Sequence, residues 1–332
     1  MPVHKPYRRK LSSVVADMSN MGYGDGGAIT AAPHWRPEFR STGNTSLEPL
    51  AAELHRVLRQ AVARVAPDAH TGAFLSGGID SSRLAGLVGE QLGQPARTYS
   101  IGFEAQGYDE MRYASIAAER FSTQHHEYYV TPADVVGAVQ SICSAYDEPF
   151  GNASVVPAYY CARMAREDGV RLMVAGDGGD ELFAGNVRYA TQKLFAPYNL
   201  MPKGPIKAML ERLVFGLPMN ERVAPFRKLK NYIEQANTPL PDRLQSYNFL
   251  APVSPSDVFA ADFLAEVDTD SPLALFRERY PDSGTDSELD SMLYLDWKFT
   301  LADNDVRKVE KACELAGVPV WFPFLDDDVV DR

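Results

Sequence analysis

The chain has 332 residues, and its 33 Lys and Arg against 44 Asp and Glu give a formal net charge of −11, which argues against extended binding to nucleic acid or an anionic membrane surface. No run of roughly 18 apolar residues is present, and Met1-Pro2-Val3-His4-Lys5 lacks a signal-peptide core, so no membrane span is expected. With 45% hydrophobic and 23% charged residues the composition is that of a soluble globular protein large enough for one or two cores.

Residues 1–45 carry no hydrophobic period, and Met21 to Gly27 is glycine-rich, so this stretch reads as an irregular arm. From Glu48 a stripe of Leu54, Val57, Leu58, Ala61, Val62 and Val65 predicts a helix ended by Pro67. Ala73-Phe74-Leu75 reads as the end of a first strand. Ser76-Gly77-Gly78-Ile79-Asp80-Ser81-Ser82 follows, and then Leu84, Leu87, Val88 and Leu92 recur at helical spacing. Strand, glycine turn and helix N-terminus together form an anion cradle. The glycines permit close backbone approach, first-turn N–H groups are unpaired, and the helix dipole favours negative charge. Ser76, Ser81 and Ser82 add donors. Asp80 adds a carboxylate, which beside a phosphate implies an intervening Mg²⁺. The plain alternative is a polar turn. No lysine stands where the Walker loop G-x-x-x-x-G-K-[ST] needs one.

Arg97 to Phe103 reads as a second strand, and Tyr108-Asp109-Glu110 opens a helix to Phe121. His126 to Val130 is a third strand, and Thr131-Pro132 starts the next helix. A helix from about Pro157 to Glu167 leads to a fourth strand, Arg171 to Ala175. This alternation predicts an α/β fold with a doubly wound parallel sheet, followed by a mainly helical part over about 190–332. With strand order 3-2-1-4, strands one and four flank the switch point where ligands bind. Gly176-Asp177-Gly178-Gly179-Asp180-Glu181 would then face Ser76 to Ser82 across one phosphate site. Asp180 and Glu181 read alternatively as caps of the next helix. His125 and His126 read as structural, and the basic run Arg222 to Lys230 as a solvated face. Cys143, Cys161 and Cys313 have no CxxC spacing, so neither a disulfide framework nor a zinc site is expected, and a cytoplasmic setting fits. Cys143 and Cys161 lie in helical patterns that predict buried, inert thiols.

Ser-Gly-Gly-Ile-Asp-Ser-Ser resembles the pyrophosphate loop (PP-loop) of ATP pyrophosphatases, which have the adenine nucleotide alpha hydrolase-like fold. Ala175 to Gly185, A-G-D-G-G-D-E-L-F-A-G, resembles the second motif of asparagine synthetases. Tyr99 to Phe103, Tyr108 to Ala114, His125 to Glu127, Asp147 to Phe150, Lys308 to Lys311 and Phe322 to Asp326 match that family in the same order, over roughly Leu50 to Asp326. The resemblance implies an ATP- and Mg²⁺-dependent amide ligase. It activates a carboxylate, most simply the aspartate side chain, as an acyl-adenylate, which ammonia then amidates. It makes Asp80 and Asp180 the Mg²⁺ ligands and assigns Ser76, Gly77, Gly78, Ser81 and Ser82 to the phosphates. Leu75, Ile101 and Gly176 shape the nucleotide pocket. Lys308 neutralises the leaving pyrophosphate, and Asp177 takes the ammonia proton; Lys308 reads alternatively as a surface lysine.

Glutamine-dependent members begin with a glutaminase domain whose nucleophile is the cysteine after the initiator methionine; Pro2 stands there instead. Ammonia, a separate glutaminase subunit, or a part of a longer protein is therefore expected to supply nitrogen, and the chain is expected to be truncated after the Phe-Pro-Phe-Leu-Asp motif. A homodimer is the other partner considered. Ala302-Asp303-Asn304-Asp305 stands where the family often has L-P-D-D-L-L, and Trp321 replaces a common arginine, so another carboxylate remains open. A peptide cyclase, a polysaccharide-tailoring amidotransferase and an inactive nucleotide-binding remnant are the alternatives. Tyrosine at the Asp177 position of β-lactam-type cyclases speaks against that type.

Overall fold

The computed structural model describes residues 46–103, 110–147, 150–202, 204–216, 224–245 and 253–331, with short pieces at 22–23, 29–30 and 37–39. Expectations that rest on Tyr108, Asp109, Glu148, Pro149, Arg222 and most of the N-terminal arm lie outside them. Within the arm, β1 (Gly22–Tyr23) pairs antiparallel with β2 (Ile29–Thr30), a ribbon that the aperiodic sequence did not suggest.

The chain divides into two compact units, residues 1–183 with 296–332, and residues 184–295. The first holds α1 (Leu47–Ala63), β3 (Thr71–Phe74), α2 (Ile79–Leu92), β4 (Arg97–Phe103), α3 (Met111–Phe121), β5 (Gln124–Val130), α4 (Pro132–Ala145), α5 (Val155–Glu167), β6 (Leu172–Val174) and α6 (Gly179–Phe183). The chain re-enters this unit with a π-helical segment (Asp296–Asp305), α7 (Val306–Ala316) and β7 (Val320–Trp321).

The sheet is parallel throughout, in the order β5-β4-β3-β6-β7. The expected 3-2-1-4 order is present, and β7 extends it beyond β6. Two residues cannot display an alternating pattern, so β7 was invisible as a strand. Both faces are covered, as a parallel sheet requires. Val62, Leu84, Leu87 and Val88 of α1 and α2 pack with Ala73 and Leu75 on one face. Ala162 and Ala165 of α5 and Val309 and Cys313 of α7 pack with Tyr99 and Met173 on the other. Burying one such leucine stabilises by roughly 2 kcal/mol.

Local signals explain the helix starts. Thr131 and Asp134 form a reciprocal capping box ahead of Pro132, with Thr131 N–H donating to Asp134 Oδ2 at 2.8 Å and Asp134 N–H to Thr131 Oγ1 at 3.2 Å. His125 and His126 are structural. The His125 ring contacts Thr98 Oγ1 at 3.0 Å; the His126 ring stacks on Tyr99 and meets Asp168 at 3.1 Å. Cys161 and Cys313 are buried, and burial pushes both thiols up. Cys143 corrects the expectation of a buried thiol: α4 turns only Ala138 and Ile142 inward, and Cys143 lies on its exposed side.

The second unit is helical. Its core gathers Phe195, Tyr198, Val214, Ile233 and Ala236, and the guanidinium of buried Arg243 lies 4.7 Å from the Phe195 ring centroid. Among the described residues no helix is long and apolar enough to cross a membrane.

Candidate active site

Helix α2 begins at Gly78 with no side-chain cap, so its first N–H groups point from the end of β3 without a competing side-chain acceptor. The preceding loop is tightly held. Gly77 has φ +85°, and a Cβ there would sit 2.6 Å from the backbone nitrogen of Ala114, so the loop lies directly against the start of α3. Ser76 and Ser81 hydroxyls meet at 2.9 Å, and Ser76 N–H donates to Ser81 Oγ at 3.2 Å. Ser82 Oγ donates to Gly78 O at 2.6 Å. Three hydroxyls and a run of backbone donors thus crowd one turn.

The loop after β6 closes on this turn at backbone distance. A Cβ on Gly176 would lie 2.9 Å from the backbone nitrogen of Ser81. One on Gly179 would lie 2.2 Å from Asp80 Oδ2, so the Asp80 carboxylate rests directly on the first residue of α6. Burial and then the charge of Asp180 push the Asp80 carboxyl up to about 6. Two acidic side chains, Asp80 and Asp180, beside the N–H groups that open α2 form a donor set suited to a divalent cation shared with a phosphate. Among the described residues no group of three metal-ligating side chains gathers, and Mg²⁺ bound with a nucleotide needs only one or two. The residues therefore fit that ion.

Deeper in the crevice, burial pushes Asp177 up to about 6 against the opposing charge of Lys308. Burial likewise takes Glu181 to about 7, with Asp305, Asp180 and Asp296 contributing. Lys308 stands on the first turn of α7, and its Nζ donates to Asp305 Oδ1 at 3.0 Å. Burial alone would lower its pKa; Asp305, Asp177 and Glu181 together carry it above the ordinary value. Lys308 is therefore charged at neutral pH and is not the surface lysine of the alternative reading; its side chain is 16% exposed.

The expected residues Ser76, Gly77, Gly78, Asp80, Ser81, Ser82, Gly176, Asp177 and Asp180 come together at the carboxyl ends of β3 and β6, and Lys308 couples electrically to Asp177. Leu75 and Ile101 differ. The Leu75 side chain is in the core, 1% exposed, and only its backbone reaches the strand end, bonding Tyr99 O through its N–H at 3.0 Å. Ile101 is half-buried on β4, packed between two core clusters. Sequence reasoning set Glu181 in the facing acidic segment, with a helix cap as the alternative, but missed Asp305, which it weighed only as a departure from the family pattern. It also missed two clasps on the junction of the π-helical segment with α7. Asn152 Nδ2 donates to Asn304 Oδ1 at 2.9 Å, and Arg307 donates to Asp147.

A strand, a Ser-Gly-Gly-Ile-Asp-Ser-Ser turn and a helix, closed by a second acidic loop across the switch point, define a nucleotide-binding domain of the PP-loop type. The asparagine synthase family model matches residues 53–332, and the chain belongs to that family of carbon–nitrogen ligases. Asparagine synthetase [glutamine-hydrolyzing] 1 of Bacillus subtilis is 25% identical over 311 residues, covering 92% of this chain and 46% of that protein. Putative asparagine synthetase [glutamine-hydrolyzing] 2 of Methanocaldococcus jannaschii is 44% identical over 123 residues, 37% of this chain and 24% of that one. A putative asparagine synthetase [glutamine-hydrolyzing] of Mycobacterium bovis is 33% identical over 171 residues, 51% of this chain and 26% of that one. The chain spans less than half the length of these relatives.

Proposed function

We propose that this domain splits ATP between the α and β phosphates to activate a carboxylate, and then passes the acyl group to ammonia. The observation that supports it most is the direct contact of the two loops, with the Asp80 carboxylate seated on Gly179 beside Asp180. An acceptor carboxylate oxygen attacks the α-phosphorus, and the bond to the bridging oxygen of pyrophosphate breaks. Ser76, Ser81, Ser82 and the N-terminal amides of α2 hold the β and γ phosphates. Asp80 and Asp180 would hold Mg²⁺, which when bound offsets the charge of the triphosphate. Lys308 meets the negative charge that collects on departing pyrophosphate. Ammonia nitrogen then attacks the acyl carbon, the bond to AMP breaks, and Asp177 takes the surplus proton. A carboxyl shifted to about 6 is ionised at neutral pH yet basic enough to accept it. The most direct acceptor is the aspartate side chain, by the relatives' names; a different carboxylate is the second reading, favoured by Ala302-Asp303-Asn304-Asp305 standing where the family often has L-P-D-D-L-L.

The test is ATP–pyrophosphate exchange over a panel of carboxylates, with phosphorus NMR of the products. AMP and pyrophosphate are expected; ADP and orthophosphate would overturn the reading. Asp177→Asn is expected to lose amidation more than exchange, and equal losses would remove Asp177 from the proton-accepting role.

A further inference from the structure

The carboxylate that holds Lys308 has no other task at its position. Asp305 is the last residue of the π-helical segment and leads straight into α7, so the backbone is helical on both sides and Asp305 caps nothing. A ten-residue π-helical stretch is itself rare, and such segments concentrate where function constrains the backbone. An i,i+3 pair on an open helix face would be a minor solvated contact. This pair is different. The side chains of Lys308 and Asp305 are 16% and 26% exposed, inside a site whose other carboxylates, Asp177 and Glu181, act on the same ammonium.

The neighbours fix the backbone under the pair. Asn304 is tied to Asn152, and Arg307 is tied to Asp147, so the turn carrying Asp305 and Lys308 is pinned to the segment preceding α5 from two directions. Movement of Lys308 is then a matter of its own four side-chain torsions. The structure sets the Asp305 carboxylate on its ammonium, with Asp177 and Glu181 acting on it as well; in the reading above, departing pyrophosphate is the competing anion.

We propose that Asp305 is a positioning residue that holds Lys308 in reserve and competes with pyrophosphate for it. The inference rests on the ATP-splitting reading above and adds a role for a residue outside its phosphate loop. When ATP binds, Lys308 exchanges Asp305 Oδ1 for a phosphate oxygen. When the α–β bond has broken, Asp305 takes the ammonium back, which weakens the hold on pyrophosphate and speeds its departure. No proton or covalent bond changes hands; one ion pair replaces another.

The experiment titrates magnesium pyrophosphate into the full chain by calorimetry, using wild type, Asp305→Asn, Lys308→Ala and the double variant. With Lys308 present, Asp305→Asn is expected to tighten pyrophosphate by about threefold or more. In the Lys308→Ala background the same change is expected to shift it by less than about 1.5-fold. Asp305→Glu, which keeps the competing charge, is expected to stay within about twofold of wild type and to restore the wild-type ratio of kcat to KM for ATP in exchange. Asp305→Ser carries the same comparison if the asparagine variant melts early. Equal tightening in both Lys308 backgrounds would show a plain field effect and overturn the inference, as would unchanged or weaker binding in Asp305→Asn. A wild type that binds no magnesium pyrophosphate at all would instead remove the underlying ATP-splitting reading, so the two failures are told apart.

Discussion

Gly179→Ala separates the geometry of the site from the stability of the fold. Gly179 does not sit in the left-handed region, so alanine fits its backbone. The added methyl, however, would meet Asp80 Oδ2 at 2.2 Å, Cγ at 2.4 Å and Oδ1 at 2.8 Å. Ordinary contact begins near 3.4 Å, so the carboxylate must retreat by about 1 Å. What yields is the end of a flexible side chain, not backbone. The melting temperature is therefore expected to hold or rise, since alanine in a helix is favoured over glycine by up to about 1 kcal/mol. The chemistry is not so tolerant. A displacement of about 1 Å at a reacting centre costs on the order of 10²-fold, about 2.7 kcal/mol. ATP–pyrophosphate exchange should fall by that factor in Gly179→Ala, and adding Asp80→Ala should cost little more, because both changes vacate one position. Exchange within threefold of wild type, at an unchanged melting temperature, would refute the placement of Asp80 as a ligand of the Mg²⁺ bound with the nucleotide.

Asp180→Ala is expected to abolish Mg²⁺-dependent exchange while leaving the circular-dichroism spectrum unchanged; retained exchange would strike it from the metal site. Asp177 has its carboxyl at about 6 in the fold against 3.8 free, so its stabilising protonated form is fully present below about pH 4 and lost as pH rises through 6. Asp177→Asn should accordingly match wild type in urea unfolding near pH 4 and exceed it at pH 8 by up to about 3 kcal/mol, two pKa units at about 1.4 kcal/mol each. Arg64 Nη1 donates to both oxygens of Asp326 at 2.7 Å, and Asp326 is 3% exposed. Arg64→Ala should cost about 3 kcal/mol in denaturant titrations by leaving that carboxylate unpaired, and a loss under 1 kcal/mol would mean that water replaces the arginine.

What could be read from the sequence followed the strength of local signals. The loop from Ser76 to Ser82 announced itself because strand, glycine turn and helix N-terminus each leave a separate mark, and Thr131-Pro132 marked its helix start through capping chemistry. Long-range convergence was legible through topology, since a 3-2-1-4 order places Gly176 to Glu181 opposite Ser76 without any contact being known. Three features left no such mark. Two-residue β7 is too short for periodicity; the π-helical register of 296–305 has no residue signature; and the exposure of Cys143 depends on how little of α4 is covered. Leu75 shows the converse limit: a motif position need not mean a side chain in the site, because here only its backbone is at the strand end.

The order in which the sheet is completed has a temporal side. The chain leaves the nucleotide-binding unit after Phe183, builds a helical unit of its own, and returns at Asp296 to lay β7 beside β6. At a synthesis rate of about 5–20 residues per second, β6 waits on the order of ten seconds for its outer partner. Through that interval β6, which leads into the loop and helix that carry Asp177 and Asp180, presents an unpaired edge, and Lys308 and Asp305 do not yet exist. Nascent chains of this protein can form the cradle after β3 early, but they acquire the acid–lysine half of the crevice only after the whole helical unit has been made. A ribosome stalled between Asp180 and Asp296 would hold an open sheet edge, a template for pairing with another chain.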